Sequence, residues 1–331
     1  MFARYKKKIF LSVIIGAAFY LAFSIYADFD KLLSALFKFN WMLLPLILAF
    51  SFANYLFRYF KWDYYLRVLK IKVPFKINFL IFLSAFVMSV TPGKMGEVLK
   101  SFLLKEEKNI PVSQSAPIIF AERITDFISM ILLCIFGAYF FNYGRDIVII
   151  ISVFFFLLLV FLSNRRFFLL FVKILEKIKF IKKHIAKVHT AYDSISLLIK
   201  LKPLIISVLI SLVSWFMECL GFYFVIIGFS NSSLPDINIL SATFIYAFST
   251  LVGAVAMLPG GVGVTEATIT GLLVFMKIPK EFSVASTILI RLATLWFAVL
   301  VGIVAIFIYQ HISNKNIEKL STYANDEVKI S

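Results

Sequence analysis

Two long apolar runs in this chain are each broken by a Pro-Gly pair, and the two breaks match. The first reads Pro92-Gly93-Lys94-Met95-Gly96-Glu97 and the second Pro259-Gly260-Gly261-Val262-Gly263-Val264-Thr265-Glu266. A second proline follows each after a short polar loop, at Pro111 and Pro279, and an arginine then falls inside the next apolar run, at Arg123 and Arg291. Proline to proline is 19 and 20 residues, and proline to arginine is 31 and 32. The interval from glutamate to the charged position is 25 in both copies, Glu97 to Glu122 and Glu266 to Arg291. Proline removes a donor and glycine admits positive φ, so each pair ends a half-helix and lets another begin. Charged interruptions in corresponding halves of an apolar chain are the mark of a transport site between repeats. The plainer alternative is that each Pro-Gly kinks a packed helix.

The apolar share is 61% over 331 residues, with a mean hydropathy of +0.94, against roughly 45–50% for soluble chains. Stretches near the ~20 residues needed to span a bilayer recur throughout. An all-α polytopic membrane protein is expected. The N-terminal run, basic at Arg4 and Lys6 to Lys8 and then apolar, has no small-x-small cleavage site and reads as an uncleaved first span. The net charge of +16 comes from Lys and Arg clustered beside the ends of spans, so nucleic acid is not an expected partner. Cys134 and Cys219 fall inside apolar runs, and the three histidines form no ligand constellation. Neither a metal nor a cofactor is expected.

Full spans are predicted at about 9–27, 41–60, 115–141, 147–162, 203–229 and 282–310, with residues 28–40 a loop. Trp41, Tyr59 and Trp62 read as interface anchors, and Arg58, Lys61, Arg67, Lys70, Lys72 and Lys76 as the basic flank of the second span. Residues 164–202 carry ten Lys/Arg and an apolar residue every three or four, the pattern of a basic amphipathic helix on an anionic membrane face. Placing the basic segments in the cytoplasm puts both termini inside if the broken elements re-enter from opposite faces rather than cross. That gives about six full transmembrane helices plus two re-entrant broken-helix hairpins in an inverted repeat, about 75–141 and 239–310. A single membrane domain over 1–313 is followed by a disordered tail at 314–331.

The helix beginning after each break presents free N–H groups, a ready anion site, and Gly93, Gly96, Gly260, Gly261 and Gly263 allow a head group close to the backbone. Glu122, Arg123 and Asp126 share one stretch of helix. An ionised group at mid-bilayer costs roughly 2.5–3.5 kcal/mol on insertion scales, so these charges need partners. Arg123 and Arg291 suit a phosphate, because guanidinium binds it bidentately and stays charged. Glu97 and Glu266 are expected to hold the two arginines when no substrate is bound, and Lys94 and Lys100 flank Glu97. A set of Arg–Glu pairs that only join helices is the structural alternative. Glu218, alone in its span, reads as a proton site, an arginine's partner, or a plain interhelical hydrogen bond.

Pro-Gly-x-x-Gly-Glu, then Glu122-Arg123-x-x-Asp126, then Leu258-Pro259-Gly260-Gly261-Val262-Gly263 with Glu266 and Arg291 downstream resembles the flippase-like family. That family includes the membrane module of lysylphosphatidylglycerol synthase, the multiple peptide resistance factor. The likeness covers about residues 9–310. It implies translocation of an anionic phospholipid or polyprenyl-phosphate-linked lipid in a prokaryotic cytoplasmic membrane, by alternating access. It also implies anionic lipids, and a lipid-modifying synthase, as partners. Two departures stand out. Lys100 sits where arginine is expected, and after Gln310 only a short polar tail follows, so aminoacyl transfer by a soluble synthase domain is not expected. No P-loop motif is present to couple movement to ATP. Two other readings use the same residues: an integral-membrane transferase with Glu122 and Asp126 as acid and base, and a scaffold that recruits a lipid synthase through 164–202.

Overall fold

The computed structural model describes residues 29–91, 96–138, 149–150, 153, 185–229 and 237–313. The expected spans at 9–27 and 147–162, most of the basic segment up to residue 184, and the tail lie outside them. Among the described residues the fold is all-α: α1 (Phe29–Phe37), α2 (Leu44–Val68), α3 (Phe75–Ser84), α4 (Leu99–Lys108), α5 (Val112–Ala138), α6 (Ile185–Leu198), α7 (Leu201–Ile227), α8 (Ile239–Val255), α9 (Val264–Phe275), α10 (Lys280–Arg291) and α11 (Phe297–Ser313). Trp41–Val68, Leu201–Ile227 and Lys280–Ile312 are long and apolar enough to cross a membrane. The 27 residues of α5 match them in length but carry Glu122, Arg123 and Asp126. The protein is an all-α membrane protein.

The two broken runs fold back on themselves. The apolar arms Phe75–Met88, Ile239–Val255 and Pro259–Phe275 are each no longer than 17 residues, about 26 Å as helix, short of a ~30 Å hydrocarbon core. Each second arm packs beside its first, α4 on α3 and α9 on α8; Leu80, Leu83, Leu99, Leu103 and Leu104 belong to one buried cluster and Phe244, Phe248, Leu251, Leu272 and Leu273 to another. A helix continued across the bilayer would set its halves end to end, so side-by-side arms make these hairpins. The second proline of each copy starts the following helix. Pro111 precedes α5 and accepts from the N–H of Ser115, and Pro279 caps α10 and accepts from that of Ser283.

The packing is reciprocal. Within each half the second arm lies on the next long helix, α4 on α5 and α9 on α10. Between halves the first arms exchange, α3 lying on α11 and α8 on α5. The helices that precede the hairpins, α2 and α7, pack along their lengths and run antiparallel. Ile47 lies beside Gly221, Asn54 beside Ser214, and Lys61 beside Ser211, so rising numbers on one meet falling numbers on the other. Antiparallel equivalents are what an inverted repeat requires.

Two expectations change. Residues 28–40 are not simply a loop, because α1 buries Leu32 and Ala35 against α10, and the Asn40 N–H donates to the Gly228 carbonyl at 2.9 Å. Tyr59 and Trp62 are 2% and 0% exposed, so they are core residues and not interface anchors, whereas Trp41 is half exposed. The described part of the basic segment, α6, packs on α5 and buries Tyr192 and Leu198. The apolar residues that carry the expected amphipathic face, Phe167 to Ile181, lie outside the described residues.

A candidate anion site between two buried ion-pair networks

Asn54, Arg58, Lys61 and Tyr65 recur on α2 at intervals of four, three and four residues, which places them on one helical face. All four are buried. Ser207, Ser211, Ser214 and Glu218 repeat the same spacing on α7, also buried. The stripes face each other across the antiparallel crossing. There the Asn54 side-chain amide donates to both the carbonyl and the hydroxyl of Ser214 at 2.9 Å, and the Ser214 hydroxyl donates back to the Asn54 carbonyl. Polar faces inside apolar helices find partners on one another because lipid offers none.

Arg58 and Lys61 were expected in the basic cytoplasmic flank; they are 7% and 1% exposed, inside the bundle. The flank starts with Arg67, whose side chain is 78% exposed. Lys and Arg near the end of an apolar run look the same in sequence whether they snorkel to head groups or turn inward to carboxylates two helices away. The four-three-four stripe was the signal that separates the cases.

These two cations join residues of the first break. Glu97, just after the tip, is held by Arg58 at 3.0 Å, Arg123 at 3.2 Å and Lys100 at 3.6 Å. Lys100 Nζ also donates to Glu122 at 2.7 Å and lies 4.5 Å from the centre of the Trp62 ring. Asp126 takes Lys61 at 2.6 Å and Arg123 at 3.2 Å, and the Ser211 hydroxyl bridges Lys61 and Asp126. Four cations and three carboxylates thus share one buried cluster drawn from α2, α4, α5 and α7. Arg123 is its most accessible member at 20%, and its Nε–H has no acceptor among the described residues. Gly96 donates its N–H to the Thr91 hydroxyl at 2.8 Å, while Gly93 and Lys94 lie outside the described residues.

The second tip is a closed circuit. Arg291 donates through Nε to Glu266 at 2.7 Å and through its terminal nitrogen to the Gly260 carbonyl at 2.6 Å. The other Glu266 oxygen accepts the Gly263 N–H at 2.7 Å. The turn needs its glycines, with φ of 62° at Gly260, 66° at Gly261 and 96° at Gly263. Glu266 therefore supplies the anion at the N-terminus of α9 from within the chain. Directly after Arg291 the helix loosens into a π turn over Leu292–Trp296, a feature frequent at functional sites.

Two tyrosines add further buried polar contacts. The Tyr55 hydroxyl donates to the Thr294 carbonyl at 2.7 Å, one turn from Arg58 on α2 and in the π turn after Arg291. The Tyr246 hydroxyl donates to Glu218 at 2.6 Å. The structure thus gathers Glu97, Lys100, Glu122, Arg123 and Asp126 at one tip and Gly260, Gly261, Gly263, Glu266 and Arg291 at the other, while Glu218 meets the Tyr246 hydroxyl.

Comparison with known proteins agrees with this architecture. The chain is 28% identical over 228 residues to the UPF0104 membrane protein MJ1078 of Methanocaldococcus jannaschii, covering 68% of this chain and 94% of that protein. It is 22% identical over 326 residues to the UPF0104 membrane protein PH1989 of Pyrococcus horikoshii, covering 89% and 95%. MJ1595 of M. jannaschii aligns at 21% over 319 residues, covering 89% and 93%. The family described as the lysylphosphatidylglycerol synthase TM region matches residues 9–302, nearly the whole chain, which therefore belongs to that family of membrane proteins.

Proposed function

We propose that the protein moves an anionic lipid, a phospholipid or a polyprenyl-phosphate-linked lipid, across the prokaryotic cytoplasmic membrane. The site alternates between the two faces as the inverted halves rock against each other. The observation that carries the reading is Arg123: a guanidinium anchored by Glu97 and Asp126, partly accessible, with a buried Nε–H that has no acceptor among the described residues and three further cations around it. A lipid phosphate satisfies that donor and draws on the same positive field. Buried ion pairs contribute little to stability against an apolar replacement, so a cluster of this size in a membrane bundle points to ligand handling. Arg291, fully engaged with Glu266 and Gly260, contributes by holding the second tip in shape. Both termini face the cytoplasm in this reading, and a lipid-modifying synthase is a partner that supplies or consumes the lipid.

The test is transbilayer movement of fluorescent phosphatidylglycerol in proteoliposomes. Arg123→Gln lowers the rate at least tenfold while the detergent-solubilised variant keeps a cooperative thermal transition. An unchanged rate in that variant removes the site assignment. Product formation from the lipid by the purified protein would move the reading to a transferase.

A further inference from the structure

The reading above names a charge but no head group, and two buried atoms of α5 narrow the choice. Arg123 and Asp126 stand three residues apart and so share one face of the helix. The two Asp126 oxygens have different surroundings. Oδ1 accepts from Lys61 Nζ at 2.6 Å and from the Ser211 hydroxyl at 3.2 Å. Oδ2 lies 3.2 Å from Arg123 Nη2 as an ion-pair contact, yet it accepts no hydrogen bond among the described residues. On the arginine, Nη2 donates to Glu97 at 3.2 Å, and the buried Nε–H is the donor without an acceptor there. One ion pair thus carries an orphan donor and an orphan acceptor, and Asp126 is 1% exposed. Buried polar atoms left unpaired are costly, and each calls for a partner.

A bare phosphodiester answers only one of the two. Its oxygens accept from Nε–H, but they have nothing to give a carboxylate. A head group that carries a donor beside its phosphate answers both. We propose that the site selects a lipid with a hydroxyl near its phosphodiester, the phosphate accepting from Arg123 Nε–H and the hydroxyl donating to Asp126 Oδ2. This rests on the anionic-lipid reading above. The donor is a hydroxyl and not an ammonium because Lys61 and Arg123 already flank the same carboxylate, at 2.6 and 3.2 Å. A third cation there meets two like charges in a buried site, where such repulsion is weakly screened. Asp126 keeps Lys61 and Ser211 on Oδ1, so taking the hydroxyl on Oδ2 displaces no existing hydrogen bond. Arg123 then holds the phosphate and Asp126 reads the head group, which is of the glycerol or sugar phosphodiester class.

The test is calorimetric binding to the full-length protein in detergent with three dihexanoyl probes: phosphatidylglycerol, phosphatidylmethanol and phosphatidylethanolamine. The first two carry the same charge and differ in the head-group hydroxyls. Phosphatidylglycerol binds about tenfold more tightly than phosphatidylmethanol, the ~1.4 kcal/mol of one hydrogen bond to a charged acceptor, and more tightly than phosphatidylethanolamine. In Asp126→Asn, with Lys61→Met added so that no ammonium is stranded, phosphatidylglycerol and phosphatidylmethanol bind alike. Equal wild-type affinities for these two overturn the inference and leave the anionic-lipid reading standing, and that comparison needs no variant. Phosphatidylethanolamine binding as tightly as phosphatidylglycerol also overturns it, because the donor is then a cation. A preference for phosphatidylglycerol that persists in the double variant overturns the role of Asp126. Failure of both anionic probes to bind the wild type removes the anionic-lipid reading and this inference with it.

Discussion

Replacing Glu97 by glutamine removes one negative charge from the centre of the first network while keeping side-chain size and one acceptor oxygen. Glu97 is 1% exposed and lies within 4 Å of three cations. Lys100 still has Glu122 after the change, and Arg123 still has Asp126. Arg58 is the group left stranded, because Glu97 is its direct ion-pair partner and the rest of its surroundings include the Phe86 ring, 5.2 Å away. Removing one member of a buried pair costs about 3–5 kcal/mol, and the retained amide oxygen puts this case near the lower end, ~3 kcal/mol. At roughly 2 °C per kcal/mol for a chain of this size, the unfolding temperature in detergent falls by ~6 °C. Arg58→Gln in the same background takes away the stranded charge, so the double variant recovers at least half of the loss. The assay is a double-mutant cycle at one fixed scan rate, because unfolding of membrane proteins is seldom reversible. Strict additivity of the two losses, or a Glu97→Gln variant as stable as the parent, refutes the view that Glu97 is the hub.

Two further expectations concern the second tip. Arg291→Lys cannot reproduce the two-pronged contact with Glu266 and the Gly260 carbonyl. It should therefore destabilise by about 2 kcal/mol and increase proteolytic cutting at the 256–263 turn, whereas a lysine variant indistinguishable from the parent in both measurements contradicts the staple role. A Cβ at Gly253 would overlap the Thr265 hydroxyl where α8 meets α9. Gly253→Ala then costs ~1–3 kcal/mol by overpacking, and Thr265→Ala added to it restores most of the thermal stability; no rescue means the arms do not touch there.

Much of the architecture was legible because it depends on local chemistry. Pro259-Gly260-Gly261 breaks the second run whatever surrounds it, and the observed arms, Ile239–Val255 and Val264–Phe275, lie on either side of it within the expected 239–310. Pro111 and Pro279 start helices because an N-terminal position asks for no N–H. The charge at Glu122, Arg123, Asp126, Glu266 and Arg291 stood out as soon as the surrounding runs were seen to be apolar.

By itself the sequence determined that the chain is helical and membrane-embedded, where its two apolar runs break, and that Glu122, Arg123, Asp126, Glu266 and Arg291 fall inside apolar stretches. Only the tertiary structure decided which charges meet. Arg58 and Lys61 sit 39 and 65 residues from Glu97 and Asp126, and nothing local distinguishes an inward-turned cation from one reaching for head groups. The antiparallel crossing of α2 and α7 makes the choice, because it lays one polar stripe against the other and leaves Arg58 and Lys61 facing carboxylates instead of lipid. Electrostatic partnership is set by distance in three dimensions, and that distance exists only after the halves have packed.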